Sequence, residues 1–267
     1  MARPVIALLT DFGTQDHYVG AMKGVVLSIC PEARLVDLCH GISAHNVRAG
    51  ALELAAAYRD FPAGTIFLAV VDPGVGSARR AIAADASGFQ FLAPDNGILT
   101  QVFLQTPPER VVEVTEPRYA RSTVSRTFEG RDRFAPAAAW LATGVDLAQL
   151  GSPVTSWQML APRDPRIHDD QISGEVVHVD RFGNLVTNVD RAVIERFADG
   201  GGVSIAADTQ VIDRIVATYA DVPPGCACAL FSSSGHLEVA VNGNSATQLL
   251  GLGCGTPVTI SRAARLA

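Results

Sequence analysis

The first half of the chain alternates continuous apolar runs with stretches of helical periodicity, and no other feature of the sequence restricts the fold as strongly. Val5 to Leu9 is an unbroken apolar run that closes on Thr10, the pattern of a strand buried on both faces of a sheet. From His17 to Cys30, Val19, Met22, Val26 and Ile29 recur at helical spacing until Pro31, which predicts an amphipathic helix. The pair then repeats, as a strand over Arg34 to Leu38 and a helix over Val47 to Tyr58 with Ala51, Leu52, Ala55 and Tyr58 on one side. Thr65 to Val71 and Phe89 to Ala93 read as further strands, and Arg131 to Thr143 as a helix closed by Gly144. Such alternation predicts an α/β domain with a mainly parallel sheet over residues 1–158.

The texture changes after Ser156. Residues 159–170, rich in Pro, Asp and Arg without periodicity, read as a linker. Beyond it the apolar runs are short and rich in Val, Ile and Thr, at 172–179, 185–189, 203–206, 211–217, 227–231, 237–241 and 257–261, with Gly, Asn and Ser between them. Residues 171–267 are therefore expected to form a smaller all-β barrel or sandwich. Two domains suit a length of 267 residues, and 48% hydrophobic against 18% charged residues is the balance of a globular chain.

The net charge of −6 comes with no basic run that would neutralise a phosphate backbone, so nucleic acid is excluded as an expected partner. The low charged fraction suits a subunit that covers apolar surface in an oligomer. The apolar run at Val5 to Leu9 is too short for a signal segment or a membrane span, which predicts a cytoplasmic protein with no membrane partner. Five cysteines without CxxC spacing are expected as buried thiols, and six histidines without HxxxH or His–Cys pairing predict no metal site.

In an open α/β sheet, ligands bind beyond the carboxyl ends of the strands, so the polar residues that follow each strand are the candidates for chemistry. Asp11, after the first strand, suits either the hydroxyls of a ribose or a turn before the next helix. No GxGxxG or GxxxxGK[ST] accompanies it, so no dinucleotide or P-loop cradle is supported. Asp72-Pro-Gly-Val-Gly-Ser-Ala-Arg79 is a tight loop that can return Arg79 to face Asp72, a pair able to hold and polarise water; the plainer reading is a turn aspartate and a surface arginine. Pro94-Asp95-Asn96-Gly97 reads as a turn, and the charges of Thr127 to Asp132 as helix capping. In the β half, His178 to Asn184 reads as a hairpin turn and Ser232 to His236 as a loop that can bind a carboxylate.

Taken together and in this order, LLTDFGTQDHYVGAMKG, VDLCHGI, VVDPGVGSARR, APDNGILT, TFEGRDRFAPAAAWLATG, VVHVDRFGNLVTNV and SSSGHLEVAVNGNSA resemble the S-adenosyl-L-methionine hydroxide adenosyltransferase family, which also includes fluorinating and chlorinating enzymes. The resemblance spans nearly the whole chain. It implies an α/β domain followed by a β domain, a homotrimer with its sites at subunit interfaces, and hydrolysis of S-adenosyl-L-methionine, as substrate and without a cofactor, to adenosine and methionine. It implies that Asp11 holds the ribose hydroxyls and that Asp180, Phe182, Asn184 and Ser233 surround the methionine portion. The backbone near Asn242 to Asn244 is placed close to the adenine. Hydrolytic members use an Asp-Arg-His set on the attacking water, and Asp72 and Arg79 match its first two members.

The third member departs. Where hydrolytic relatives commonly read Thr-Phe-His-Gly-Arg-Asp, this chain reads Thr-Phe-Glu129-Gly-Arg-Asp. Glu129 is the candidate second proton acceptor in place of the imidazole; the bland alternative is an ion-pair partner for an arginine. Two carboxylates at one water require Arg79 or Arg131 between them if neither is to be driven neutral. A catalytically weak sensor or buffer for the same ligand is the alternative function that Glu129 raises and that Asp72 and Arg79 argue against. The halogenating members carry an aromatic residue where this chain has Asp72, and a carboxylate there repels an incoming halide.

Overall fold

Residues 3–262 are described in the computed structural model, so the predicted domain ends at 1–2 and 263–267 lie outside the described residues. The chain divides into two compact units, Met1–Ala161 and Pro162–Ala267.

In the first unit, β1 (Val5–Thr10) sends Ile6 and Leu8 into one apolar cluster and Ala7 and Leu9 into another. This is the two-residue alternation of a strand covered on both faces. The chain continues through α1 (Tyr18–Ile29), β2 (Arg34–Cys39), α2 (Val47–Ala57), β3 (Ile66–Val70), β4 (Ala81–Ala86), β5 (Phe89–Pro94), α3 (Thr100–Gln105), β6 (Arg110–Glu113) and α4 (Ala135–Ala142). Met22 and Val26 of α1 join Phe134 and the alanines of α4 on one face of the sheet. Leu54 of α2, Tyr58 and Val102 of α3 pack on the other.

The sheet order is β2-β1-β3-β5-β4-β6. The pairs β1–β2, β1–β3 and β3–β5 are parallel, whereas β4 runs antiparallel to both β5 and β6, so the expected mainly parallel sheet is in fact mixed. The cause is a tight hairpin between β4 and β5, whose two connecting residues, Ser87 and Gly88, both adopt positive φ, at 52° and 77°. Two such residues turn a strand back with the twist that a hairpin needs.

The second unit comprises β7 (Arg166–Ile167), β8 (Gln171–Val179), β9 (Leu185–Asp190), α5 (Arg191–Ala198), β10 (Val203–Ala207), β11 (Gln210–Ile212), β12 (Ala227–Phe231), β13 (His236–Val241), α6 (Ala246–Leu250) and β14 (Pro257–Arg262). Its strands pair antiparallel in the order β11-β10-β14-β8-β9-β13-β12, with β7 on β8. A bridge from Ile215 to Ala229 on β12 brings the two edges towards closure as a barrel. Alternate residues, among them Ile172, Leu185, Ile205, Leu237, Val239 and Ile260, fill its interior. All five cysteines are free; Cys30 and Cys228 are buried as expected, but Cys226 and Cys254 are exposed because both lie in turns before strands. No helix among the described residues is long and apolar enough to cross a membrane.

Candidate active site

Register places the candidate residues of the first unit at one edge of its sheet. Thr10 of β1 lies opposite Val70 of β3, so Asp11 and Asp72 follow neighbouring strands out of the same end. The Asn96 amide donates to the Val71 carbonyl at 2.8 Å, fixing the strand end that carries Asp72. The loop then folds on itself, with Val75 N–H bonded to the Asp72 carbonyl and the Ser77 hydroxyl to the Gly74 carbonyl. That fold returns Arg79 to Asp72.

The Arg79 Nε donates to both Asp72 oxygens, at 3.0 and 2.9 Å, and its Nη2 also pairs with Oδ2. The same Nη2 lies 2.9 Å from Glu129 Oε2. The side chains of Asp72, Arg79 and Glu129 are only 5%, 9% and 13% exposed. Burial by itself would lower the affinity of the Arg79 guanidinium for its proton, but the bond and charge of Asp72, joined by Glu129, outweigh it and hold its pKa above the ordinary value. Arg79 is therefore a fixed cation shared by two carboxylates, and the group carries a formal charge of −1.

Glu129 reaches this position through a local irregularity. Gly130–Phe134 forms one turn of π-helix ahead of α4, closed by the Ala135 N–H on the Gly130 carbonyl, and such turns recur at functional sites. Gly130 packs 3.3 Å, measured from where a Cβ would stand, from the Met22 sulfur, so the turn seats directly on α1. Arg133, four residues after Glu129, puts its Nε 3.6 Å from Glu129 Oε2; that buried nitrogen has no hydrogen-bond partner.

Arg131 turns away and binds Asp132 through Nε at 2.6 Å and Nη2 at 2.8 Å. Asp132 is 1% exposed, and the Arg131 hydrogen bond, opposed by burial and reinforced by the Ser125 N–H and Arg121, holds its carboxyl below the usual range. Of the two arginines that sequence reasoning offered to separate the carboxylates, Arg79 occupies the place. Arg133 was not among the candidates, because Glu129 precedes the helix predicted from Arg131 and their i,i+4 relation arises from the π-turn that extends that helix back to Gly130.

Asp11 accepts the His45 N–H through Oδ2 at 2.8 Å. Phe12, beside it, packs edge-on to Phe128 at 6.1 Å, which joins the Asp11 loop to the segment that bears Glu129. Asp95 is an anchor: it binds Arg80 at 2.6 and 2.9 Å and accepts the Gln158 N–H.

In the second unit, Asp180 organises its own turn. Its Oδ1 accepts the N–H groups of Phe182 and Asn184, and its Oδ2 the Asn184 amide. Phe182 stands 78% exposed on that turn. The turn lies at the same end of the sheet as Asn242, whose amide donates to the Val222 carbonyl. Ser233 is at the other end: β13 pairs Val239 with Leu185 but His236 with Asp190, so the strand separates Ser233 from Asp180 by about 17 Å at ordinary strand rise. Glu238, which sequence reasoning passed over, is buried in the middle of β13 and accepts the Tyr219 hydroxyl at 2.8 Å. Among the described residues, no group of three or more His, Cys, Asp or Glu is placed to hold a metal ion.

A two-unit chain, one α/β and one antiparallel β, with an Asp-Arg-Glu cluster at a strand edge defines the class to which comparison with known proteins then gives a family. Residues 6–151 match the SAM hydroxide adenosyltransferase N-terminal domain and residues 174–259 its C-terminal domain. The chain is 40% identical over 265 residues to a (R)-S-adenosyl-L-methionine hydrolase of Thermus thermophilus, covering 97% of this chain and 99% of that one. A fluorinase of Nocardia brasiliensis is 29% identical over 293 residues, 97% of either chain. A solved structure of a conserved protein from Thermotoga maritima superposes with a TM-score of 0.91 at 35% identity, over 96% of this chain and all of that one. The chain belongs to the SAM hydroxide adenosyltransferase family.

Proposed function

We propose that the protein hydrolyses S-adenosyl-L-methionine to adenosine and L-methionine. The observation that carries this reading is the buried cation of Arg79 held between Asp72 and Glu129, together with the hydrolase names of relatives that match 97% and 93% of the chain. Water attacks C5′ of the ribose in line with the departing sulfur. The new bond is O–C5′, the C5′–S bond breaks, and its electron pair stays on sulfur, so the sulfonium becomes the neutral thioether of methionine. The proton lost by water passes to a carboxylate.

The leaving group is already activated, so the site has chiefly to position the water, a contribution of up to about 7–11 kcal/mol. Arg79 draws the water towards its hydroxide-like form, Asp72 orients it and accepts its proton, and Glu129 is the second acceptor. The net charge of −1 on the three side chains complements a cationic sulfonium and opposes a halide. Asp11 holds the ribose hydroxyls, Asp180, Phe182 and Asn184 serve the methionine portion, and the backbone at Asn242 lies by the adenine; Ser233, at the other end of β13, stands apart from that group. The working assembly is a cytoplasmic homotrimer, with light scattering expected to give about three times the 28.1 kDa chain mass, and no cofactor takes part.

Asp72→Asn tests the mechanism. It keeps the side-chain shape and removes the acceptor, and kcat is expected to fall by about 10²–10⁴ with KM little changed. Full activity in that variant overturns the mechanism.

A further inference from the structure

Behind the Asp11 loop lies a buried chain of polar groups that the reaction itself does not use. Thr10, the last residue of β1, is fully buried, and its Oγ1 lies 2.8 Å from His40 Nδ1. His40 Nε2 lies 2.9 Å from Asp37 Oδ1, and Lys23 Nζ closes the chain on Asp37 Oδ2 at 2.6 Å. Hydroxyl, imidazole and carboxylate in series have the composition of a nucleophilic triad. The Thr10 oxygen is sealed from solvent and already accepts the Phe12 N–H at 3.2 Å, so it is not presented to any substrate.

What the chain does hold is the backbone on both sides of Asp11. Thr10 and Phe12 are tied to each other and to the His40 ring, and the Gly13 N–H donates to the His40 carbonyl at 2.8 Å. The Asp11 carboxylate is bonded in turn to the N–H of His45, five residues along the same segment, which adopts positive φ (68°). The polarity of the series is consistent throughout. Phe12 donates to Thr10; with the ring proton on Nε2, Thr10 donates to Nδ1 and Nε2 donates to Asp37. The opposite neutral tautomer would leave Nε2, then an acceptor, facing the Asp37 carboxylate.

We propose that His40 is a positioning residue that sets Asp11 to accept the 2′- and 3′-hydroxyls of the substrate ribose, so that discrimination for a ribonucleoside over a 2′-deoxyribonucleoside depends on His40. The inference rests on the assignment of Asp11 to the ribose under the proposed function. A hydroxyl bonded to a charged carboxylate is worth about tenfold or more in affinity, but only when the acceptor is held at the right place. Thr10 transmits the ring position to Asp11 through the backbone, and Asp37 with Lys23 fixes the ring from the far side.

Two variants separate positioning from a merely structural role. His40→Asn puts an amide atom where Nδ1 sits and can keep the Thr10 contact, whereas His40→Gln reaches towards Asp37 and gives that contact up. Each full-length protein is titrated calorimetrically, and assayed for turnover, with S-adenosyl-L-methionine and with its 2′-deoxyribo analogue, alongside its Tm. The wild type is expected to favour the ribo form by about tenfold or more. His40→Gln is expected to lose that preference, chiefly as a rise in Kd and KM for the ribo form with a smaller change in kcat, and His40→Asn to retain it. A structural role would instead lower Tm in both variants and leave the preference untouched, and that result overturns the proposal, as does loss of the preference in His40→Asn. Binding with discrimination but without turnover in the wild type would overturn the hydrolase reading while the Kd ratios still decide the role of His40. A wild type that binds both forms equally, or neither, overturns the role of Asp11 and this inference with it.

Discussion

Replacing Glu129 with Gln removes a charge and a proton acceptor while keeping an oxygen for Arg79. The substituted carboxylate lies 2.9 Å from Arg79 Nη2 and 3.6 Å from Arg133 Nε and is 13% exposed. At the effective dielectric of about 20 suited to such a site, a unit charge about 4 Å away contributes about 4 kcal/mol. A proton half-transferred from water in the transition state feels about half of that, and 2 kcal/mol corresponds to a fall of about 30-fold in kcat. Arg79 retains its paired bonds to Asp72, so the geometry and Tm are expected to change little. The assay is adenosine release at saturating substrate, followed chromatographically beside a thermal melt. A kcat equal to that of the wild type at unchanged Tm refutes the proton-acceptor role and leaves Glu129 as an ion-pair partner alone. Glu129→His puts an imidazole proton acceptor in the same place and is expected to keep most of the wild-type rate.

Gly76 adopts φ of 77°, and a Cβ there would collide with the Arg126 carbonyl, so Gly76→Ala is expected to cost about 1–2 kcal/mol from the backbone alone, with more for the clash, and to lower kcat by loosening the Asp72–Arg79 loop. At Gly74 the added carbon meets the Ser77 hydroxyl at 3.4 Å, the Arg79 stem at 3.6 Å and Asp72 Oδ1 at 3.8 Å, all side-chain atoms without a backbone clash, so Gly74→Ala is expected to be the milder change in parallel melts. Burial, aided by the Asp180 charge and only partly offset by the Tyr219 hydrogen bond, raises the pKa of Glu238, and the Tyr219 hydroxyl is pushed up to about 12 by its own burial and by Glu238. A carboxyl with a raised folded pKa favours the fold below its unfolded value and loses that contribution as pH rises through the folded value. Glu238→Gln, which keeps an acceptor for Tyr219, is therefore expected to raise Tm at neutral pH, with the gain vanishing in acid; an equal gain at every pH would show that ionisation is not its source.

The parallel strands and their helices were legible because they have long periods and unmixed faces: Val5–Thr10 and Tyr18–Ile29 read in the sequence almost as they fold. β4 was not legible, because Ala81–Ala86 holds four alanines, which carry little strand preference, and its direction depends on a two-residue turn at Ser87 and Gly88. α5 could have been read from the Asp190 cap and the spacing of Val193, Ile194 and Phe197, but it falls among β runs that concealed it. Within the site, Asp72 and Arg79 are seven residues apart on a tight loop and their return to one another could be anticipated. The contact of Arg79 with Glu129 spans fifty residues and depends on a π-turn that no sequence pattern announces. The Thr10–His40 contact joins two strand ends and becomes visible only once β1 and β2 are paired.

In the proposed reaction, water held at the Asp72–Arg79–Glu129 cluster replaces sulfur at C5′. Incubation with S-adenosyl-L-methionine in oxygen-18 water, with mass analysis of the separated products, tests it most directly. Adenosine carrying one oxygen-18 at its 5′-hydroxyl is expected, together with unlabelled methionine. Binding without product, or a chloride-dependent 5′-chloroadenosine in place of labelled adenosine, would contradict it.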